Sequence, residues 1–287
     1  MSNQIRGASE GATAGATVGA DAGATLCKLV LSGPTELHTV KFPSADLATL
    51  RACLGEWKPR RVVATGGGAA RLARELRDVE VHTVPEFAAW ARGAPLLAAR
   101  IGLELPDKYL VGVIGTGTSV LAIEPGGAKR IGGSALGGGT LLGLGRLLLG
   151  VASFDEICAL AARGDRRKVD LLVGDIYPGG EIALPADLNA SSFAKLDSRE
   201  PPDLAHALVG MLAENIGLIC GNLARSSGAS AVVYCGSTLL HNREMQDILR
   251  WVTAMHGATA HFPEHGAFCG ALGAVAMVDG EGAHSSQ

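Results

Sequence analysis

A chain of 287 residues carrying a formal charge of −3 has no electrostatic footprint for nucleic acid or for an anionic membrane. With 47% apolar but only 4% aromatic residues, its core must be built from Ala, Val, Leu and Ile, and 40 glycines provide many tight turns, the composition of a glycine-hinged α/β enzyme of two modest lobes. Six cysteines (Cys27, Cys53, Cys158, Cys220, Cys235, Cys269) form no C-x-x-C pair and Arg146 interrupts the best membrane-span candidate, so a soluble protein of the reducing cytoplasm is expected.

Residues 1–16 are rich in Gly, Ala, Ser and Thr with little to bury, which predicts a disordered tail without a signal peptide's apolar core. From Thr17 the pattern changes. TVGAD reads as a strand, AGAT as a turn, LCKLVLS as a second strand and ELHTVKF as a third, an antiparallel meander. Ser44 is placed to cap a helix to about Trp57, RRVVAT is a buried strand running into Gly66-Gly67-Gly68, and Ala69 to Arg77 is a helix. A further strand, VEVHTV, leads to Pro85 at the first turn of a helix that carries Glu86.

After Pro106 the same order begins again with YLVGVIG, the turn TGT, SVLAIEP and AKRIGG. Helices are expected over about 139–149, 153–163 and 204–226, then strand AVVYCG, a helix to about Met255, strand TAHF and a closing helix from about His265. The stretch from Gly179 to Pro202 is irregular and suits a substrate-side loop or a subunit contact. The resulting organisation is a tail (1–16), an N-terminal lobe (17–108), a C-terminal lobe (109–280) and a flexible tail (281–287), each lobe opening with a meander whose first turn faces a cleft.

The densest chemistry lies between Lys129 and Gly150, KRIGGSALGGGTLLGLGRLLLG. Gly137, Gly138 and Gly139 lack side chains, so their N–H groups can approach an anion while the following helix points its positive end there, with Arg130 upstream as a charged clamp. His261, Glu264 and His265 spell H-x-x-E-H, but Pro263 between the histidines breaks the helix that would bring them onto one metal. No Walker loop and no G-x-S-x-G elbow occurs.

Read together, DAGATLCK at 21–28, ATGGGA at 64–69, PEF at 85–87, VIGTGTSV at 113–120, RIGGSALGGGTLLGLG at 130–145, GDRRKVDLLVGDIY at 164–177, VVYCGS at 232–237 and EHGAFCGALGA at 264–274 resemble a type II pantothenate kinase, in that family's order and over roughly Val18 to Val278. The resemblance implies an α/β fold of two duplicated actin-like ATPase lobes with ribonuclease H-like sheets and an ATP cleft between them. It implies phosphorylation of pantothenate by ATP with Mg²⁺, acyl-CoA as a feedback inhibitor and a homodimer.

By the same resemblance, Asp21 orients Mg²⁺ through water, and Gly23, Ala24, Thr25, Leu26, Cys27 and Lys28 form the first phosphate hairpin and its strand. Glu86 matches the general base; a carboxylate at a helix N-terminus stays ionised, as a base must. Gly115, Thr116 and Gly117 match the second hairpin, and Ser119, Arg130 and Tyr177 match positions on the substrate side. Gly137, Gly138, Gly139, Thr140, Leu141, Phe154 and Ser237 match the nucleotide side. For Lys28 and Phe154 a surface lysine and a core aromatic are the plain alternatives.

One departure stands out: the family's D-x-G-G-T reads Asp21-Ala22-Gly23-Ala24-Thr25. If residue 24 needs positive φ, its methyl costs about 1 kcal/mol or more of strain, and weak ATP binding is expected. A sugar kinase of the N-acetylhexosamine type, an activator ATPase of the same fold, and a non-catalytic acyl-CoA sensor are the competing readings.

Overall fold

The structure is a computed structural model and describes residues 16–32 and 37–282; the expected tails, other than Ala16, Glu281 and Gly282, lie outside that range. The first meander is β1 (Thr17–Ala22), β2 (Leu26–Ser32) and β3 (Leu37–Pro43), followed by helix α1 (Leu47–Trp57), β4 (Arg61–Thr65), α2 (Ala69–Glu75), β5 (Val81–Thr83) and α3 (Glu86–Arg100). The second half repeats the plan with β6 (Tyr109–Ile114), β7 (Thr118–Glu124) and β8 (Gly127–Ser134), then α4 (Gly138–Leu149) and α5 (Phe154–Ala161). A small excursion holds β9 (Leu171–Leu172), α6 (Val173–Ile176) and β10 (Asn189–Ser191) before α7 (Pro201–Ser227), β11 (Ala231–Cys235), α8 (Arg243–Met255), β12 (Thr259–His261) and α9 (Cys269–Gly282).

Strand order is β3-β2-β1-β4-β5 in one sheet and β8-β7-β6-β11-β12 in the other, so each is a meander whose first strand carries two further strands in parallel. The sheets are built alike although the letters differ. Alternation along β1 shows how the layers form: Val18 and Ala20 face Leu50, Leu54 and Trp57 of α1, whereas Gly19 faces α9. In the second sheet Leu110 and Val120 face α7, while Val111, Leu121 and Val233 face a core shared with Trp90 and Leu97 of α3 and Leu272 of α9. Helices α3 and α9 therefore form a layer between the two sheets, and α9, which follows the second sheet in sequence, lies on β1 and β4 of the first.

Several local expectations are corrected. Asp46, not Ser44, caps α1, its carboxylate accepting from Thr49 N at 3.0 Å; Ser44 Oγ instead donates to Gly23 O at 2.7 Å and ties the end of the meander to its first turn. Pro85 is the residue before α3 rather than inside it. Helix α7 starts three residues earlier than expected, since Pro201 and Pro202 fit the first turn where no N–H bond is required. His265 takes φ 60° and a short 3₁₀ turn over Gly266–Phe268 precedes α9. Among the described residues α7 alone is long and apolar enough to span a membrane, but it is mostly buried and Ala205, Leu208, Leu212 and Ile216 fill the second core. All six cysteines are free and buried.

Candidate active site

The β1–β2 and β6–β7 turns face each other at the mouth of a cleft of about 740 Å³, a volume within the range of small-molecule sites. Their tips touch: the hydroxyls of Thr25 and Thr116 meet at 3.1 Å. From the first half the wall takes Asp21, Gly23, Ala24, Thr25, Leu26 and Lys28; from α3 it takes Glu86, Phe87 and Trp90. The second half supplies the turn from Gly115 to Gly117, Ser119, Arg130, Gly138, Gly139, Phe154 and Ser237.

Asp21 and Lys28 are register partners on β1 and β2, so their side chains leave the same face of the sheet. Lys28 Nζ donates to Asp21 Oδ2 at 3.1 Å, and both residues are buried. Lys28 is thus no surface lysine; it neutralises the aspartate. Burial drives the Asp21 carboxyl up from the usual aspartate range and Lys28 opposes that shift. Its other oxygen, Oδ1, is buried with no hydrogen-bond partner. Asp21 lines the cleft, and a carboxylate with an unpartnered oxygen is the hard donor type that suits Mg²⁺, which is bound through one or two carboxylates, its own waters and substrate phosphates.

Glu86 opens α3, and no hydrogen bond or ion pair among the described residues holds its carboxylate. The helix dipole alone favours the ionised form, yet burial and then the Asp21 charge raise its pKa from the ordinary glutamate value, against Lys28. Raised in this way, it is a better match to a proton acceptor working near neutral pH. Arg130 owes its aim to a β-bulge: pairing shifts between Val120 and Leu121, and Arg130 Nε then donates to Ser119 Oγ at 3.4 Å.

The glycine run does something other than expected. Gly138 N donates to Gly115 O at 2.8 Å and Gly139 N to Thr116 O at 2.9 Å, so these two N–H groups are taken by the second hairpin. A Cβ on Gly137 would sit 2.7 Å from Thr116 O. The run seats the start of α4 on the hairpin backbone, so the hairpin and the helix form one rigid unit. Gly236, at φ 116°, is needed for a related reason: a Cβ there would run into Ile114 O. It turns β11 so that Ser237 and Thr238 reach the cleft, where Thr238 Oγ1 donates to Gly115 O at 2.9 Å.

Five matched residues stand off the cleft wall. Cys27 points into the first core by strand alternation, and burial pushes its thiol up to about 12. Leu141 is fully buried in the second core, and Thr140 Oγ1 turns back to Ala135 O at 2.9 Å. Gly137 sits behind the hairpin backbone, and Tyr177 is 39% exposed beyond α6. The wall also holds residues that sequence reading passed over, among them Lys41, Phe42, Trp90, Ser153 and Thr238. Trp90 was accessible in principle, since a residue four after Glu86 shares its helix face.

Alanine at position 24 carries no backbone penalty. It is exposed and is not among the residues with positive φ, so the expected strain has no cause in the backbone. Ala24→Gly is accordingly expected to change the KM for ATP by less than about twofold, since little binding energy is at stake. Initial rates over an ATP series decide it.

Residues 104–277 match the Fumble family. The type II pantothenate kinase of Oceanobacillus iheyensis is 35% identical over 214 residues, covering 74% of this chain and 79% of that protein. That of Staphylococcus aureus is 30% identical over 227 residues, 77% and 84% of the two chains. Among solved structures, the activator of the 2-hydroxyisocaproyl-CoA dehydratase from Clostridium difficile with bound ADPNP aligns at a TM-score of 0.64 and 16% identity, covering 94% of this chain and 96% of that one. A ROK family glucokinase from Streptomyces griseus in complex with glucose and AMPPNP aligns at 0.55 and 15%, covering 92% and 99%. The structural likenesses establish the two-lobed ATPase fold and the sequence relatives establish the lineage: the chain belongs to the type II pantothenate kinase family.

Proposed function

We propose that the protein transfers the γ-phosphoryl group of ATP to the primary hydroxyl of pantothenate, the first step of coenzyme A biosynthesis. The observation that carries this reading is the meeting of Glu86, the Asp21–Lys28 pair and Arg130 in one cleft between two facing hairpins. Glu86 takes the hydroxyl proton as that oxygen bonds to the γ-phosphorus, and the bond from phosphorus to the bridging oxygen of ADP breaks. The backbone of the hairpin turns and the Arg130 guanidinium face the equatorial oxygens, where charge must be stabilised. Asp21 would hold Mg²⁺ through its water shell; when bound, that ion neutralises charge on the β- and γ-phosphates. Phe154 and Ser237 are assigned to the nucleotide side, and Ser119 to the acceptor side.

A coupled assay for ADP release with pantothenate, with an N-acetylhexosamine and with no acceptor tests the reading. Turnover is expected with pantothenate alone. Release with the hexosamine, or without any acceptor, would instead favour a sugar kinase or an activator ATPase. Arg130→Ala is expected to lower kcat by roughly 10²-fold, as for loss of a donor to transition-state charge, with a smaller change in the KM for pantothenate. A change confined to KM would make Arg130 a binding residue only.

The resemblance extends the proposal to acyl-CoA inhibition, to a homodimer and to residence in the cytoplasm. Exposed apolar side chains at Leu147, Leu148 and Leu184 supply surface for self-association, which sedimentation measures directly.

A further inference from the structure

Glu86, Phe87 and Trp90 share one face of α3, since Trp90 lies three residues after Phe87 and four after Glu86, and all three line the cleft. Trp90 is buried in an apolar cluster with Val111 and Leu121, and Val113 of β6 packs against the same cluster while also lining the cleft. Val113 pairs with Ser119 across β6 and β7, so the two side chains leave the same face of the second sheet, and Ser119 Oγ accepts from Arg130 Nε at 3.4 Å. Glu86 and the Ser119–Arg130 pair are thus each flanked by an apolar side chain of one shared core. Phe87 is different. It is 42% exposed, and no apolar cluster among the described residues takes in its ring. A cleft of this kind is lined by apolar groups that shape its ligand and a few polar ones that orient it, and an open phenyl ring next in sequence to a proton acceptor suits a substrate with apolar bulk close to its hydroxyl.

We propose that Phe87, with Val113, is the specificity-determining contact for the acceptor, packing the two methyl groups that pantothenate carries on the carbon next to its CH₂OH group. This rests on the kinase reading given above. When the hydroxyl reaches Glu86, those methyls are only three bonds from the oxygen and lie against whatever flanks the carboxylate. A hexosamine brings ring and hydroxyl oxygens to the same place, and there they would meet apolar carbon without a hydrogen-bond partner, which costs binding. The same wall therefore selects for the branched acceptor and against the sugar.

The test compares kcat/KM for pantothenate and for its analogue with hydrogens in place of the two methyls, in the wild type, Phe87→Ala, Phe87→Leu and Val113→Thr. Whatever the methyls do to the acceptor's own reactivity is common to every form of the enzyme and cancels when the ratios are compared. The wild type is expected to favour pantothenate by roughly 10–100-fold, the scale on which an apolar pocket distinguishes a missing methyl or methylene. Phe87→Ala should cut that preference about fivefold or more, with the loss falling on pantothenate and the analogue little affected. Phe87→Leu, which keeps apolar bulk, should retain more of the preference than alanine does. Val113→Thr replaces a methyl by a hydroxyl at nearly equal size and should also lower it. An equal loss on both acceptors, as a structural or nucleotide-contacting role gives, or a wild-type preference in Phe87→Ala, overturns the proposal; should Phe87→Ala fail to fold, an undiminished preference in Val113→Thr does so. A wild type that phosphorylates neither acceptor sinks the kinase reading and this contact with it, whereas an active wild type whose preference no variant alters sinks only the role of Phe87.

Discussion

Glu86→Gln is expected to lower kcat by roughly 10²–10⁴-fold, the range for a lost general base, with ATP affinity and melting temperature unchanged. The substitution is nearly isosteric, and no hydrogen bond or ion pair among the described residues depends on the carboxylate, so folding has little reason to respond. The wild-type pH profile carries a second signature. A base must be ionised, and burial with the Asp21 charge raises the Glu86 pKa from its ordinary value. Activity is therefore expected to fall with decreasing pH through an apparent pKa above the usual glutamate value. That limb should vanish from the residual rate of Glu86→Gln. Near-normal kcat in the variant, or an unchanged acid limb, removes Glu86 from the role.

Gly273→Ala is expected to rank with the most damaging small substitutions among the described residues. A Cβ at Gly273 would run into Ala89 O on α3, one at Gly93 into Cys269 O on α9, and one at Gly19 into Ala271 O. Helices α3 and α9 thus approach backbone to backbone, with β1 against the second of them. None of these glycines needs positive φ, so the argument is purely steric. Helix propensity works the other way, favouring alanine over glycine by about 1 kcal/mol. The contact wins because a carbonyl in a packed helix cannot yield, and overpacking at rigid backbone costs several kcal/mol. A drop in Tm on the order of 10 °C, or failure to fold, is expected. Gly143→Ala on α4 is the control: nothing lies within 4 Å of its Cβ, so it should be neutral or slightly stabilising. Equal melting temperatures for the two variants would contradict the interlocked packing.

Strands β1, β4, β6 and β11 were legible because they are buried runs that end at a glycine, and RVVAT and AVVYC leave few other readings, whereas the short β9 and β10 carry no such pattern and were not expected. Asp21 and Glu86 were legible as members of motifs, and the structure brings both to one cleft. What stayed hidden depends on long-range geometry. The pairing of Lys28 with Asp21 needs the register of β1 on β2, and the aim of Arg130 needs a bulge that no single residue announces. Gly138 and Gly139 looked like free anion donors because a glycine run has the same letters whether its N–H groups face a ligand or another turn. Ser44 and Asp46 both suit a helix cap; only the approach of Gly23 decides between them.

The place of α9 has a consequence for the order in which the protein can be completed. Synthesis delivers chain at about 5–20 residues per second, so β1 to β5 emerge well before α9. Until then the face of the first sheet that carries Gly19 and Val63 lacks α9. The first half is thus expected to remain a partly covered intermediate that waits for the second. An isolated 17–108 fragment should show protease-sensitive, dye-binding apolar surface that a peptide spanning Gly266 to Gly282 reduces. The sheet made first is the sheet finished last, and a nascent chain stalled before α9 would be a substrate for chaperones.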